Sequence, residues 1–399
     1  MNILFLTMNV FSDIEMHNIY SDLMKEFVRH GHRPYIVTPR EKKSGEKTEL
    51  INYHDYSLLK VQIGNTSNVS LIEKGISTIT LSSQFYNAVK KTLGNIEFGL
   101  ILYSTPPITL ATPVARLKRL YKCKTYLMLK DIFPQNAVDL GMFSERGLIY
   151  RYFRQKEKKL YHVSDRIGCM SPANVDYVLK HNSEIPKEKV GLCPNAVIPN
   201  TVPDRAGIKL SLREKYNIPT NTTVYLYGGN LGKPQGISFL ISCLQKMKDR
   251  DDCYFIICGS GSEYGLIQDF VQQDKPNNVS LIKFLPKQEY DELVMGCDVG
   301  MVFLDYRFTI PNFPSRVLSY MEYGIPVLVC ADNATDLGKI AEGNGFGLFC
   351  PSNDVAKFEG QVTAMNSSDL DEMGVRARDY LEENYSAQIP YQEIMENEK

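Results

Sequence analysis

The chain has 399 residues, which suits two domains, and 43% of them are hydrophobic, enough for a core in each. Its formal net charge of -1 excludes a bulk attraction to nucleic acid or anionic lipid, so no nucleic-acid partner is expected and only local patches could favour a membrane. The nine cysteines form no CxxC pair and several sit in apolar runs such as YFIIC and PVLVC, a pattern of buried free thiols rather than of a metal or disulfide framework.

The opening, MNILFLTMNVF, has no basic leader, and no run reaches the roughly 20 apolar residues of a spanning helix. A cytoplasmic chain with at most peripheral membrane contact is expected. Ile3 to Leu6 reads as a strand. Ile19, Leu23, Phe27 and Val28 share one helical face that ends near Gly31, and Tyr35 to Thr38 is the next strand, completing one βαβ unit. Further strands are expected over 58–63, 100–103, 125–129 and 166–169, with helices over 82–93, 109–121 and 147–163. Residues 193–211 hold three prolines and no clear period, and are taken as the interdomain boundary. A second strand–helix series then runs from Thr223 to Cys330, and a helix is expected over 370–385 before a fraying acidic end. Strands alternating with helices predict an α/β chain with parallel sheets.

Three loops of the second series invite a ligand. GGNLGKPQGI, residues 228–237, lies between a strand and a helix, where glycines let backbone N–H groups approach an anion and Lys233 adds a point charge. It lacks the Walker spacing, so ATPase chemistry is not indicated. GSGSEYG, residues 259–265, departs from a dinucleotide fingerprint at Tyr264 and reads as a second tight or anion-binding turn, with Gly259, Gly261 and Glu263 as candidates. In FPSRVLSYMEYGIPVLV, residues 313–329, Ser315 is a helix N-cap candidate. Arg316 then falls in the first turn, where a cation opposes the helix dipole unless an anion binds. Glu322 near the helix C-terminus is equally unfavourable by itself and hints at sugar or ribose hydroxyls. Loops after strands of one parallel sheet share the edge where ligands bind.

In the first half, KDIFPQN at 130–136 places Asp131 at a strand end, a candidate for orienting a sugar hydroxyl or moving a proton. Asn9 and His17, on the loop after the first strand, are the other candidates on that side. The six histidines show no metal spacing. Asp249-Arg-Asp251 and Asp369-Leu-Asp371 match a DxD in letters only, and read as solvated turns. LIYRYFRQKEKKLYH, residues 148–162, is a basic amphipathic helix, and with the Arg116–Lys124 run it could face anionic lipid.

Together, YSDLMKEFVRHGHRPYIVTP, DIFPQNAVDLG, CPNAV, GGNLGKPQG and FPSRVLSYMEYGIPV resemble the GT-B, family-4 retaining glycosyltransferases, and within them bacterial enzymes of capsule and O-antigen synthesis. The resemblance implies two Rossmann-like domains facing a cleft: residues 1–198 for the acceptor, with a helix over about 380–399 crossing back, and 199–379 for the donor. It implies transfer of a hexose or N-acetylhexosamine from a UDP-sugar to a polyprenyl-diphosphate-linked saccharide, with no cofactor and no metal. Asp131 and Glu322 are then the catalytic candidates. The donor set is Gly229, Asn230, Lys233, Gln235, Gly259, Gly261, Glu263, Leu285, Ser315 and Arg316. The sequence departs from the family pattern at Asn230 and Gln235, where the family usually has an arginine and a lysine, and at Pro311 and Ser319, where it tends to have two glutamates. A UDP-sugar epimerase of the same fold and an inactive nucleotide-sugar-binding subunit stay open as alternatives.

Overall fold

A computed structural model describes residues 1–66 and 71–396, arranged as two compact units. The first comprises Met1–Ile198 and the residues from Ala387 onward; the second is Pro199–Ser386. The segment returning to the first unit thus begins at Ala387, later than the expected 380, because the helix Leu370–Asn384 packs within the second unit.

The first unit is built on eight strands: β1 (Asn2–Leu6), β2 (Arg33–Glu41), β3 (Glu49–Asn52), β4 (Ser57–Ile63), β5 (Leu100–Ser104), β6 (Lys124–Leu129), β7 (Arg166–Cys169) and β8 (Val190–Leu192). Their order is β3-β4-β2-β1-β5-β6-β7-β8, parallel except for β3, which runs antiparallel to β4. Strands buried on both faces need continuous apolar runs, and NILFL and LILYS supply them. The helix Ile19–Arg29 starts at Asn18, whose side chain accepts from Tyr20 and Ser21 N–H. The C-terminal helix Gln388–Glu396 lies on this helix, with Tyr391 stacked on His30 at 4.1 Å and edge-on to Phe27 at 5.2 Å. The acidic end expected to fray is therefore helical as far as Glu396.

The second unit holds β9 (Thr223–Asn230), β10 (Cys253–Ser260), β11 (Val279–Ile282), β12 (Val299–Phe303), β13 (Val327–Ala331) and β14 (Gly347–Pro351), all parallel, in the order β11-β10-β9-β12-β13-β14. The order reverses between β9 and β12, the position at which an open parallel sheet leaves a crevice at its carboxyl edge. Residues 206–216, partly inside the expected boundary, form a helix. Arg205 anchors its start by donating to four carbonyls, Met295, Cys297, Tyr323 and Gly324, at 2.8, 2.5, 3.2 and 3.1 Å. These carbonyls end the helices Lys287–Gly296 and Arg316–Glu322, so one guanidinium meets two negative helix ends. All nine cysteines are free thiols and eight are buried.

The Arg205→Met variant leaves those carbonyls without their donor, and the C-terminal unit should lose about 3 kcal/mol of stability. Urea unfolding followed by circular dichroism checks this; an unchanged midpoint would refute the anchoring role.

Candidate functional site

β9 pairs with β12 only as far as Tyr227 opposite Met301, then diverges. Tyr320 fills the divergence. Its hydroxyl donates to the carbonyls of Leu226 and Met301 at 3.2 and 3.4 Å and accepts from Gly228 N–H at 3.1 Å. A Cβ at Gly300 would meet the Tyr320 ring at 2.3 Å, so the residue there must be glycine for the ring to lie flat on β12. Tyr290 closes the other side, its hydroxyl 2.0 Å from where a Gly228 Cβ would stand.

Arg316 lies one turn before Tyr320 on the same helix face. Its guanidinium carbon sits 4.7 Å from the Tyr227 ring centroid, and its Nη1 is shielded from water with no hydrogen-bond partner among the described residues. Gly229, at φ +131°, runs beneath this group: an added Cβ would lie 3.1 Å from the guanidinium carbon. Gly229 therefore serves the arginine's seat.

The other donor candidates occupy the same edge in different roles. Asn230 Nδ2 donates to Gln235 Oε1 at 2.8 Å, and Gly232 N–H to the same oxygen at 3.3 Å, so the two amides clamp the loop to each other. Lys233 begins the 3-10 turn Lys233–Gln235 and is exposed. The loop after β12 touches this turn, Asp305 N–H donating to Pro234 O at 3.0 Å. Gly259 pairs with Gly229 across β10 and β9, where a Cβ would fall 1.8 Å from Gly229 O; one at Gly261 would fall 2.2 Å from Leu231 O. Both glycines are accounted for by backbone contact. Glu263 precedes the helix Tyr264–Asp274, half-buried, and its side chain makes no cap. Leu285 is half-buried beside the exposed Phe284 in the loop after β11. Ser315 occupies the N-cap position, but its backbone is already helical (φ -62°, ψ -18°) and its hydroxyl caps nothing. Glu322 corrects an expectation: it is buried, and Oε1 accepts from Asn200 N–H at 2.9 Å, so its carboxylate ties the start of the unit down and is not open to a sugar. The DxD reading as turns also needs refinement, since Asp369 caps the helix Leu370–Asn384. Among the described residues, no group of three or more His, Cys, Asp or Glu could hold a metal ion.

In the first unit, Asp131 follows β6 and receives Asn136 Nδ2 on both oxygens, at 2.8 and 3.0 Å. Burial pushes its carboxyl up to about 6, against the pull of the Ile132 N–H and the Asn136 amide. Lys130, beside it, donates to Cys193 O and Pro194 O at 3.3 and 3.4 Å, and burial lowers its pKa. His17 Nδ1 lies 2.8 Å from Asp22 Oδ2; that buried carboxylate also accepts from Ile198 N–H at 3.1 Å. Asn9 is exposed and is held through its backbone to Thr7 and Thr38.

Tyr227, Tyr290 and Tyr320 were not legible as site residues in the sequence. The one signal was a glycine facing two of the three: Gly228 against Tyr290 and Gly300 against Tyr320.

Comparison with known proteins gives the family and the fold. Residues 209–384 match the family of glycosyl transferases group 1. A protein of Pseudomonas aeruginosa named as a glycosyltransferase, WbjE, is 25% identical over 80% of this chain and 78% of its own length. WcaI of Escherichia coli (strain K12), named for colanic acid biosynthesis, is 23% identical over 61% of this chain and 60% of its own. The Anabaena HepE structure in complex with UDP and glucose superposes with a TM-score of 0.70 at 15% identity, covering 100% of this chain and 99% of that one. The chain is a glycosyltransferase of GT-B fold that carries a glycosyl transferases group 1 domain.

Because the folded Asp131 carboxyl titrates near 6 and an unfolded one near 4, the native state favours its protonated form. Its contribution to stability is complete below about pH 4 and is lost as pH rises through about 6. Stability relative to Asp131→Asn should therefore fall by about 2 kcal/mol between pH 4 and pH 7. Parallel urea titrations at the two pH values test it; a constant difference would place the carboxyl at an ordinary pKa.

Proposed function

We propose that the chain transfers a hexose or N-acetylhexosamine, with retention, from a UDP-sugar to a polyprenyl-diphosphate-linked saccharide in bacterial surface polysaccharide synthesis. One observation carries the donor half of this reading: the Arg316 Nη1, shielded and without an acceptor, at the carboxyl edge of a parallel sheet. A diphosphate oxygen is the acceptor it lacks, and a charge-assisted bond there strengthens as negative charge grows on the departing nucleotide. Lys233, exposed on the adjoining turn, is the second cation. The glycosyl C1–O bond to UDP breaks, a new C1–O bond forms to an acceptor hydroxyl, and that hydroxyl loses its proton. Asp131, ionised at neutral pH yet basic for a carboxylate, is the group on the acceptor side suited to receive it. The uridine nucleotide is supported by HepE's complex with UDP and glucose, and the polysaccharide setting by the name of WcaI. Retention rests on the family resemblance. The reaction is proposed to run without a metal, in the cytoplasm at the inner face of the membrane; no helix among the described residues is long and apolar enough to cross one.

UDP should raise the melting temperature more than ADP or GDP, and equal or absent shifts would sink the donor assignment. Arg316→Ala should weaken UDP binding about ten-fold or more and lower kcat as well as KM-limited turnover, since the lost bond is worth roughly 1.5–3 kcal/mol. Asp131→Asn should bind UDP normally while transfer falls. Wild-type turnover in Arg316→Ala would remove the diphosphate contact from the reading. Activity in excess EDTA should persist, and its abolition, restored by a divalent ion, would overturn the metal-free mechanism. UDP binding with no turnover of any nucleotide sugar would favour a binding subunit; free epimerised sugar nucleotide would favour the isomerase.

A further inference from the structure

An apolar rim lies in the first unit, on residues outside the donor candidates. Met142, Leu148, Ile149 and Tyr152 are 65, 81, 57 and 50% exposed. At 3.6 residues per turn, the last three fall within about 100° of one another on the helix Leu148–Val163. The helix buries Glu157, Leu160 and Tyr161 on another side. The rim stands on packed rings: Phe133 lies 4.9 Å from Phe153 and 6.2 Å from Phe143, both edge-on. Four large apolar side chains held outward on such a base are more than the scattered exposure usual for a surface.

The charges around the helix sort into two groups. Arg154 is bonded to Glu157, His181 O and Asn182 Oδ1. Lys158 pairs with Glu184 at 3.0 Å, Lys159 donates to Thr112, Lys118 pairs with Asp165, and Arg116 stacks on Tyr86 at 3.5 Å. These cations of the broad basic patch expected from the sequence are engaged within the unit. Arg146 and Arg151, in contrast, are exposed, and Lys156 lies 5.2 Å from the Tyr152 centroid; none of the three pairs with a carboxylate among the described residues. Glu145 is the one acid between residues 142 and 156.

Unpaired cations interleaved with exposed apolar and aromatic side chains match an anionic bilayer surface, where apolar groups enter below the headgroups and cations stay among them. We propose that Met142, Leu148, Ile149 and Tyr152 insert into an anionic membrane, with Arg146, Arg151 and Lys156 on its headgroups. The proposal rests on the membrane-linked acceptor proposed above, and confines the contact to the start of the helix.

The chain has no tryptophan, so Leu148→Trp supplies a single tryptophan that can be excited selectively at the red edge, apart from the tyrosines. With phosphatidylglycerol–phosphatidylcholine vesicles its emission should move to the blue and be quenched by lipids brominated in their acyl chains. Val375→Trp, in the second unit, should do neither. Leu148→Ser with Ile149→Ser should weaken vesicle partition at least ten-fold. Arg151→Gln with Lys156→Gln should weaken it about 25-fold at low salt and little at high salt. UDP-induced thermal shifts, read on each variant, report whether it is folded. Absence of a blue shift and of quenching with anionic vesicles would overturn the proposal. A blue shift without lipid, accompanied by a dimer in sedimentation, would overturn it by assigning the rim to a second copy. Failure of the donor reading would appear separately, as a wild type that binds vesicles but not UDP.

Discussion

Two parallel strands can part company only where something satisfies the backbone groups they stop sharing. In the C-terminal unit that partner is the Tyr320 hydroxyl, which meets Gly228 N–H and the carbonyls of Leu226 and Met301 together. The contact fixes the short helix Arg316–Glu322 against the sheet, and through it the position of Arg316. The surrounding glycines follow from this seating: Gly300 admits the Tyr320 ring, Gly228 leaves room for Tyr290, and Gly229 lets the guanidinium lie against the chain. What remains is a guanidinium with one shielded nitrogen unpaired among the described residues, a cost of roughly 1–3 kcal/mol. On the proposed reading, a diphosphate oxygen at that edge supplies the acceptor this nitrogen lacks.

The loop after β9 shows how charge is distributed when the expected cations are absent. Asn230 and Gln235 hold each other with the shared help of Gly232 N–H, giving a defined loop without a charge. Two exposed cations on such a loop would repel each other and be screened by salt. A single half-buried guanidinium over an aromatic face, with one nitrogen shielded from water, is screened less. On the proposed reading the strongest anion contact lies on the helix behind the loop, at Arg316, and not on the loop itself.

Much of the fold was readable because its strands are apolar runs set between helices of period 3.6. The misses have local causes. Residues 206–216 form a helix despite three preceding prolines and a weak apolar face; its anchor, Arg205, acts through carbonyls distant in sequence. β3 and β8 are too short, at 4 and 3 residues, to show alternation. At the site, Arg316 was legible because an arginine in a first turn is anomalous on its own. Glu322 was anomalous in the same sense, yet its explanation is the Asn200 N–H, a partner 122 residues away. The tyrosines were invisible because 227, 290 and 320 have no common spacing and meet only through the sheet.

Lys130 and Asp131 are neighbours in sequence, and a strand exit sends neighbours to different partners. Lys130 goes to the carbonyls of Cys193 and Pro194, Asp131 to the amide of Asn136. Had the two formed an ion pair, the carboxyl would have been held low, as an adjacent cation does to an acid. With the ammonium committed to carbonyls, burial acts on the carboxyl opposed only by neutral hydrogen bonds, and its pKa rises to about 6. A carboxylate at that value is still ionised at neutral pH and accepts a proton more readily than an ordinary aspartate. The basicity of Asp131 thus depends on how Lys130 is employed: the commitment of one side chain to a loop 63 residues away in sequence sets the proton affinity of the next.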